Sequence, residues 1–172
     1  MSTDTQTRLH EVIELHGSAI QRLARSYEHD PSQQQDLVQE VLIAIAHALA
    51  SFEERSSLRT FVLRIAHNVC ITHSMRASRR RGTRWASIDE LANEPVSPEL
   101  RADVVIDQKQ RLLRLQSLVA SLKPLDRQLV LLLLEGLPSS EIAEVTGLSP
   151  TNVTTKLSRI RSVLKERLGG DS

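Results

Sequence analysis

Hydroxyl and basic side chains near the C-terminus have the types and spacing of a nucleic-acid contact. Hydroxyl groups donate hydrogen bonds to base edges or accept them, whereas Arg and Lys bind phosphates. Both kinds of side chain occur along one predicted helix, which indicates a surface that contacts base edges and binds the phosphate backbone of a nucleic acid. The residues are Thr151, Thr154, Thr155, Lys156, Ser158, Arg159 and Arg161.

The elements predicted to position these side chains are a helix, a glycine turn and a capped helix. Gly147 is suited to end the first helix in the left-handed conformation, and Ser149-Pro150 supplies a cap followed by proline at the first helical position. This pattern is typical of a helix-turn-helix, whose second helix enters a major groove. An ordinary helical hairpin is the alternative. The expected contacts between the two helices come from Ile142, Ala143, Leu148, Val153 and Leu157.

A second basic cluster lies between Arg55 and Ile88, where every charged residue is an arginine. The planar guanidinium suits phosphates and base edges, and it does not titrate. Each block taken alone could be a solvated helix face. Two blocks on separate segments favour phosphate binding. The cluster comprises Arg55, Arg59, Arg64, Arg76, Arg79, Arg80, Arg81 and Arg84.

The net charge of the whole chain conceals these blocks. The chain has 172 residues with a formal net charge of +1, and 40% are hydrophobic and 25% charged. This composition predicts a globular protein of one or two small domains. Residues 26–54 carry only acidic charges, and residues 86–107 are acidic apart from Arg101. The acidic and basic blocks cancel, so the small total does not argue against a polyanionic partner.

The sequence offers little for catalysis, metal binding or membrane insertion. It has no glycine-rich phosphate loop, nucleophile elbow or zinc-ligand pair. His67, Cys70 and His73 fan around a predicted helix and do not converge on one metal. A single cysteine excludes an internal disulfide, and the longest apolar run, Leu129–Leu134, is too short to span a bilayer. We therefore expect no enzyme activity, no cofactor and no stable membrane insertion.

Apolar periodicity predicts an all-α fold of two small helical domains joined by a flexible linker. Helices are expected over residues 9–27, 32–50 and 57–81, at a turn over 88–92, from about 105 to 122, and over 124–136, 139–146 and 150–168. The first helix is expected to bury Leu9, Val12, Ile13, Leu15, Ile20, Leu23 and Ala24, and the second Leu37, Val41, Ile45, Ala48 and Leu49.

Three segments in order resemble one known family. They are Asp36–Val41, then Phe52 with Ser56–Phe61 and Arg64–Asn68, and finally Leu125–Arg161. Together they resemble a bacterial extracytoplasmic-function sigma factor, the two-domain class of the sigma-70 family. One departure is Phe61, which stands where the family usually has tryptophan. The resemblance implies sigma region 2 over residues 1–82, a linker over 83–104 and sigma region 4, with the helix-turn-helix, over 105–172.

The resemblance also implies partners and site residues. The chain would bind core RNA polymerase, on the clamp helices and flap of the large subunit, and direct initiation at promoters with minus-ten and minus-thirty-five elements. The clamp contact would use Asp36, Gln39, Glu40, Leu42, Ile43 and Ala46. The melted minus-ten strand, including a base flipped into the loop before the third helix, would be bound by Glu53, Arg55, Ser56, Ser57, Arg59, Thr60, Arg64, His67, Asn68, Ile71, Arg76, Arg79, Arg80 and Arg81.

The remaining implications concern the minus-thirty-five element and regulation. The duplex element would be read by the C-terminal set that runs from Thr151 to Arg161. Members of the family are commonly held by an anti-sigma factor, often membrane-anchored, so we expect such a partner and a cytoplasmic protein held at the inner membrane when that partner is bound. The alternative function is a stand-alone helix-turn-helix regulator, which would bind a specific duplex tightly without polymerase.

Overall fold

The computed structural model describes residues 3–96 and 107–168. Within these ranges the regular structure is helical, and no β-strand occurs beyond an isolated bridge between Ala86 and Leu122. The all-α prediction is therefore confirmed. The chain divides into two compact units, Met1–Thr83 and Arg84–Ser172.

The first unit is a bundle of three helices, α1 (Thr3–Tyr27), α2 (Pro31–Leu49) and α3 (Leu58–Arg81), each of which packs on the other two. The ends of the helices follow from local chemistry. Asp30 accepts a hydrogen bond from the backbone N–H of Gln33 at 2.9 Å and so caps α2. Gly82 ends α3 with a φ of 64°, the left-handed conformation that glycine adopts without strain.

The core of this unit confirms the predicted stripe of α2 and corrects that of α1. Leu37, Val41, Ile45 and Leu49 are all buried. On α1 the buried stripe includes Val12, Ile20, Leu23 and Ala24, whereas Ile13 and Leu15 are 46% and 64% exposed. The prediction for those two residues was wrong, because two neighbouring helices cover only a narrow stripe of α1. Leu15 lies outside that stripe and Ile13 lies at its edge.

The second unit is built around a buried helix. Its helices are α4 (Ile88–Asn93), α5 (Gln108–Ser121), α6 (Pro124–Leu134), α7 (Ser139–Thr146) and α8 (Pro150–Arg167). All residues from Asp126 to Leu132 of α6 are buried, including three with polar side chains. Helix α6 therefore forms the centre on which α7 and α8 pack.

Residues 84–96 lie in the predicted linker and pack against the second unit. The backbone N–H of Ala86 donates to the carbonyl of Ser121 at 2.9 Å, and that of Lys123 donates to the carbonyl of Ala86 at 2.8 Å. Ile88 and Leu91 of α4 are buried. This part of the linker is thus fixed to the second unit, whereas residues 97–104 lie outside the described ranges.

Candidate nucleic-acid and polymerase interfaces

The turn between α7 and α8 has the predicted helix-turn-helix chemistry. Gly147 has a φ of 75°, and its N–H donates to the carbonyl of Ala143 at 2.8 Å. Ser149 caps α8 by accepting a hydrogen bond from the N–H of Asn152 at 3.3 Å, and Pro150 is the first helical residue. Because these signals are local, the sequence was sufficient to predict them.

The outer face of α8 carries most of the predicted duplex-reading side chains. Side chains on its opposite face, among them Val153 and Leu157, are buried in the second unit. This arrangement leaves a continuous polar and basic surface available to a ligand. Its exposed members are Thr151, Thr154, Thr155, Ser158, Arg159 and Arg161.

Lys156 is placed differently from the other predicted members of this set. Its side chain is 33% exposed, and its Nζ lies 3.4 Å from Oδ1 of the buried Asp126. Residues 153, 156, 157 and 160 share one face of α8 by helical periodicity, so Lys156 points toward the core-facing side. Lys156 therefore lies at the edge of the open face, and its charge is paired with Asp126.

The threonine hydroxyls of the outer face have defined hydrogen-bond roles. Oγ1 of Thr154 donates to the carbonyl of Pro150, and Oγ1 of Thr155 donates to that of Thr151, both at 3.0 Å. Because each hydroxyl proton is used within the helix, the side chains present an acceptor oxygen and a methyl group outward. In a major groove an acceptor matches the amino groups of adenine and cytosine, and a methyl group matches that of thymine.

Helix α3 exposes most of the predicted strand-binding side chains. Arg64 and Asn68 are exposed on its middle turns, and Arg59 and Ile71 are half-buried. The exposed arginines of the C-terminal half are Arg76, Arg79, Arg80 and Arg81. This surface combines one amide, a group that can donate to and accept from a base edge, with a cluster of arginines whose chemistry suits phosphates.

Two of the predicted strand-binding residues are buried, and these predictions were wrong. Thr60 is 1% exposed and accepts a hydrogen bond from the hydroxyl of Ser57 at 2.9 Å, so both side chains serve the start of α3. His67 is also 1% exposed and lies edge-on to the ring of Tyr27, with ring centroids 6.4 Å apart. Burial lowers the pKa of His67 to about 3, so the imidazole is neutral and faces the core of the bundle.

The loop between α2 and α3 is tied to α1 by Arg8, which no sequence pattern indicated. Arg8 lies 3.2 Å from the carboxylate of Glu54 and 5.9 Å from the ring centroid of Phe52. Phe52 in turn packs on Phe61, with ring centroids 4.4 Å apart. Phe61, which stands where the family usually has tryptophan, thus makes an apolar contact with the loop. No local signal relates Arg8 to a loop so distant in the sequence.

Most side chains of the loop between α2 and α3 are exposed to solvent. Glu53, Arg55 and Ser57 are exposed, and Ser56 is half-buried. Arg55 and Glu53 form an ion pair with each other. Glu54 has a φ of 57°, a conformation that non-glycine residues rarely adopt. The loop therefore presents charged side chains and Ser57 at its surface, and ion pairs hold two of its acidic side chains in place.

Helix α2 presents a mixed acidic and apolar surface. Asp36, Gln39 and Glu40 are exposed, Ile43 is 56% exposed, and Leu42 and Ala46 are half-buried. The negative charge of Asp36 and Glu40 beside Ile43 makes this surface poorly suited to DNA phosphates, which it would repel. A groove of about 300 Å³ separates this surface from the arginines of α3.

A buried carboxylate that no sequence pattern indicated joins the three helices of the first unit. Glu28 is 4% exposed and accepts hydrogen bonds from the N–H groups of His29 and Asp30, at 2.8 and 3.1 Å. Its Oε2 lies 2.9 Å from Nε2 of His73 on α3. Burial raises the pKa of Glu28, but the hydrogen bonds from His73, Asp30 and His29 outweigh burial and hold that pKa below its ordinary value.

Two other kinds of site are absent from the residues that the structure describes. Within residues 3–96 and 107–168, no group of three or more His, Cys, Asp or Glu side chains could hold a metal ion. Within the same ranges, no helix is long and apolar enough to cross a membrane. Cys70 is buried with a free thiol, and burial raises its pKa to about 12.

Comparison with known protein families gives two matches. Residues 12–81 match the family described as Sigma-70 region 2, and residues 112–164 match the family described as Sigma-70, region 4. The first match covers most of the α1–α3 bundle. The second covers the helix-turn-helix and the helices that support it.

Two curated relatives align with almost the whole chain. RNA polymerase sigma factor CnrH of Cupriavidus metallidurans is 26% identical over 176 residues, which cover 99% of this chain and 92% of that protein. RNA polymerase sigma factor YlaC of Bacillus subtilis is 28% identical over 174 residues, which cover 89% of this chain and 94% of that protein.

Two solved structures have the same fold. CnrH in complex with the cytosolic domain of CnrY has a TM-score of 0.64 and 24% identity, and the match covers 97% of this chain and 91% of that one. RpoE in complex with the anti-sigma factor NepR from Bartonella quintana has a TM-score of 0.66 and 20% identity, with coverage of 99% and 100%.

Proposed function

The chain belongs to the sigma-70 family and is an RNA polymerase sigma factor of the extracytoplasmic-function type, and we propose which of its residues carry out each step of promoter recognition. The chain binds core RNA polymerase and promoter DNA and directs promoter-specific initiation. It is an initiation factor and not an enzyme. Sigma-factor relatives that align along nearly its whole length do not favour a stand-alone regulator.

The first unit is proposed to be sigma region 2, over residues 1–82, and the second to contain sigma region 4, over residues 105–172. The intervening residues 83–104 connect them. Because residues 84–96 pack on the second unit, the connection between the two units narrows to the residues around Gly82 and Thr83. The α4 segment then moves with region 4.

We assign the polymerase contact to α2. Ile43 gives this surface an exposed apolar centre, and Asp36 and Glu40 give it negative charge. Such a surface is complementary to an apolar and basic protein partner, which the clamp helices of the large subunit would provide. Gln39, Leu42 and Ala46 complete the proposed contact. A second contact, between region 4 and the flap, is part of the same proposal.

We assign the melted minus-ten strand to the loop before α3 and to the exposed side of α3. Asn68 provides a donor and an acceptor for a base edge, and Arg64 provides a neighbouring charge. Arg76 and the arginines at 79–81 bind the strand backbone. A flipped base enters the loop that Arg8 and Phe61 support. Thr60 and His67 act from the core and touch no DNA.

We assign the minus-thirty-five duplex to the outer face of α8. The observation that carries this assignment is an exposed row of hydroxyl and arginine side chains on a helix that begins directly after a left-handed glycine and a serine cap. In a major groove, Thr154, Thr155 and Ser158 face base edges. Arg159 and Arg161 bind the flanking phosphates.

Regulation by an anti-sigma factor is proposed for this chain as well. A structural neighbour was solved with the anti-sigma factor NepR, and another with the cytosolic domain of CnrY. We propose a cytoplasmic protein that is held at the inner membrane when its anti-sigma factor is anchored there. Co-purification from native cells identifies such a partner.

Transcription from genomic fragments tests the proposed function. Core polymerase from the source organism is incubated with sheared genomic DNA, with and without the purified chain, and the 5′ ends of the transcripts are sequenced. We expect start sites that require the chain and share two upstream elements. Transcripts that are the same in both reactions would contradict the function. A matched variant is Arg159→Ala, which should retain core binding and the requirement for the minus-ten element, and should initiate less efficiently at promoters that depend on the minus-thirty-five element.

A further inference from the structure

Helix α4 is anchored on the second unit directly beside the face of α8 assigned to duplex DNA. The backbone N–H of Ile88 donates to Oδ2 of the buried Asp126 at 2.8 Å. At the other end, Arg167 of α8 donates to the carbonyls of Leu91 and Glu94. Both ends of α4 are therefore held by contacts that do not depend on its exposed acidic residues.

The start of α4 is also rigid in its own geometry. Ser87 accepts a hydrogen bond from the N–H of Glu90 at 3.1 Å, and the carboxylate of Glu90 accepts one from the N–H of Ser87. This reciprocal capping box fixes the first turn. Because Ile88 is 1% exposed, its position is set by packing, and the side chain of the next residue is directed away from the core.

That next residue, Asp89, places a carboxylate against a basic side chain of the duplex-reading face. Its Oδ1 lies 3.4 Å from Nε of Arg159, and the two side chains are 64% and 48% exposed. Asp89 and Ile88 form one wall of a groove of about 830 Å³. The other wall comes from α8 and is lined by Asn152, Thr154, Thr155, Lys156, Ser158, Arg159 and Ser162.

The position of this carboxylate has a direct electrostatic consequence. Duplex DNA carries about one negative charge per 1.7 Å of helix axis. A phosphate that approaches Arg159 competes with Asp89 for the guanidinium and is repelled by the carboxylate charge. Because the Asp89–Arg159 pair is exposed to solvent, it is weak. Competition at this site therefore tunes DNA affinity and does not abolish it.

We propose that Asp89 of the linker helix masks Arg159 and thereby lowers the affinity of the free factor for duplex DNA. The proposal rests on the assignment of α8 as the duplex reader. Non-specific binding to DNA is almost entirely electrostatic. A carboxylate at this position therefore weakens binding to non-promoter DNA, whereas polymerase-bound factor offsets the loss through its other promoter contacts.

The test measures duplex binding by the full chain with and without the carboxylate. Wild type and Asp89→Asn are titrated against a fluorescent duplex that carries the mapped minus-thirty-five element, and against a scrambled duplex, over a range of salt concentrations. We expect the variant to bind about 3–10-fold tighter at low salt on both duplexes. The slope of log K against log salt should steepen by about 0.9, the value for one additional phosphate contact.

Two further variants make the result specific. Glu94→Gln removes the same charge from the far end of α4, where the carboxylate lies 3.7 Å from Arg167, whose side chain is only 15% exposed. We expect no gain in affinity from that variant. In an Arg159→Ala background, Asp89→Asn should also give no gain. Circular dichroism of each variant confirms that the helices are retained.

Three results would contradict the proposal that Asp89 masks Arg159. They are equal affinity of wild type and Asp89→Asn, a gain from Glu94→Gln of the same size, or a gain that persists without Arg159. Failure to detect duplex binding by Asp89→Asn at low salt counts as equal affinity. Each of these outcomes leaves start-site selection by the holoenzyme unaffected, so a failure of the mask is distinguishable from a failure of the proposed function.

Discussion

Oδ1 of Asp126 lies 3.4 Å from Nζ of Lys156, so a buried acid of α6 is joined to the helix that we assign to the minus-thirty-five duplex. The second oxygen of the same carboxylate accepts a hydrogen bond from the N–H of Ile88. One side chain therefore connects three helices, α4, α6 and α8. It sets how the linker helix sits beside the duplex-reading face.

Replacement of Asp126 should release α4. In Asp126→Ala the N–H of Ile88 loses its acceptor, and hydrogen bonds to charged groups contribute about 1.5–3 kcal/mol. We expect backbone amides of α4 to exchange with deuterium at least about tenfold faster than in wild type, since 1.4 kcal/mol corresponds to a factor of about ten. Glu166→Ala, which removes an exposed acid of α8, is the control. Unchanged exchange in Asp126→Ala would contradict this role.

Burial of His67 should make the stability of the first unit depend on pH. Its pKa is lowered from 6.5 to about 3 in the folded chain, so the unfolded chain binds the extra proton between these values. Stability is therefore lost as the pH falls below about 6.5, by at most about 1.4 kcal/mol per pH unit, and the loss stops near pH 3. His67→Gln should flatten this dependence between about pH 7 and pH 5, whereas His47→Gln, at an exposed site, should not. Thermal unfolding across that range provides the measurement.

The arginines at the end of α3 should account for much of the salt dependence of strand binding. In the variant with alanine at positions 79, 80 and 81, holoenzyme binding to a pre-melted promoter should show a shallower slope of log K against log salt. The slope should change by about 0.7 for each phosphate that the variant no longer binds. Arg25→Ala, in the last turn of α1, is the matched control. An unchanged slope in the triple variant would show that the α3 arginines are only a solvated helix end.

Thr155 should read a base through its acceptor oxygen. Thr155→Ser keeps that oxygen, whereas Thr155→Val keeps only the shape of the side chain. We therefore expect only the valine variant to lose discrimination between bases at one position of the minus-thirty-five element, by about 0.5–1.5 kcal/mol. Transcription from promoters randomised across that element measures the preference. Equal profiles for the two variants would contradict a role for the oxygen, and a loss of discrimination in Thr155→Ser alone would assign recognition to the methyl group.

Sequence alone was sufficient wherever the signal is local. Gly147 and Ser149-Pro150 specify the turn through backbone conformation and capping, and the spacing of Leu37 and Val41 specifies the inner face of α2. These features depend on residues within one or two helical turns. The same reasoning placed the outer face of α8 correctly, with Lys156 at its edge.

Sequence was insufficient wherever a polar residue is satisfied by a distant partner. His67 was predicted to bind the melted strand because the resemblance places it on the strand-binding side of the third helix, yet it packs edge-on to Tyr27 in the core. Lys156 was predicted to bind phosphate because it is basic, yet its partner is thirty positions away in α6. Periodicity gives the angle of a side chain on its helix, but the packing of the other helices decides whether that angle faces solvent.

The division of labour between α3 and α8 is tested most directly by run-off transcription on four templates, which carry both mapped promoter elements, either one alone, or neither. Wild type, an α3 variant (Asn68→Ala) and an α8 variant (Ser158→Ala with Arg159→Ala) are each compared with purified core polymerase. We expect the α8 variant to transcribe equally with and without the minus-thirty-five element while it still requires the minus-ten element, and the α3 variant to show the converse. An α8 variant that still depends on the minus-thirty-five element would contradict the assignment of that helix to the duplex.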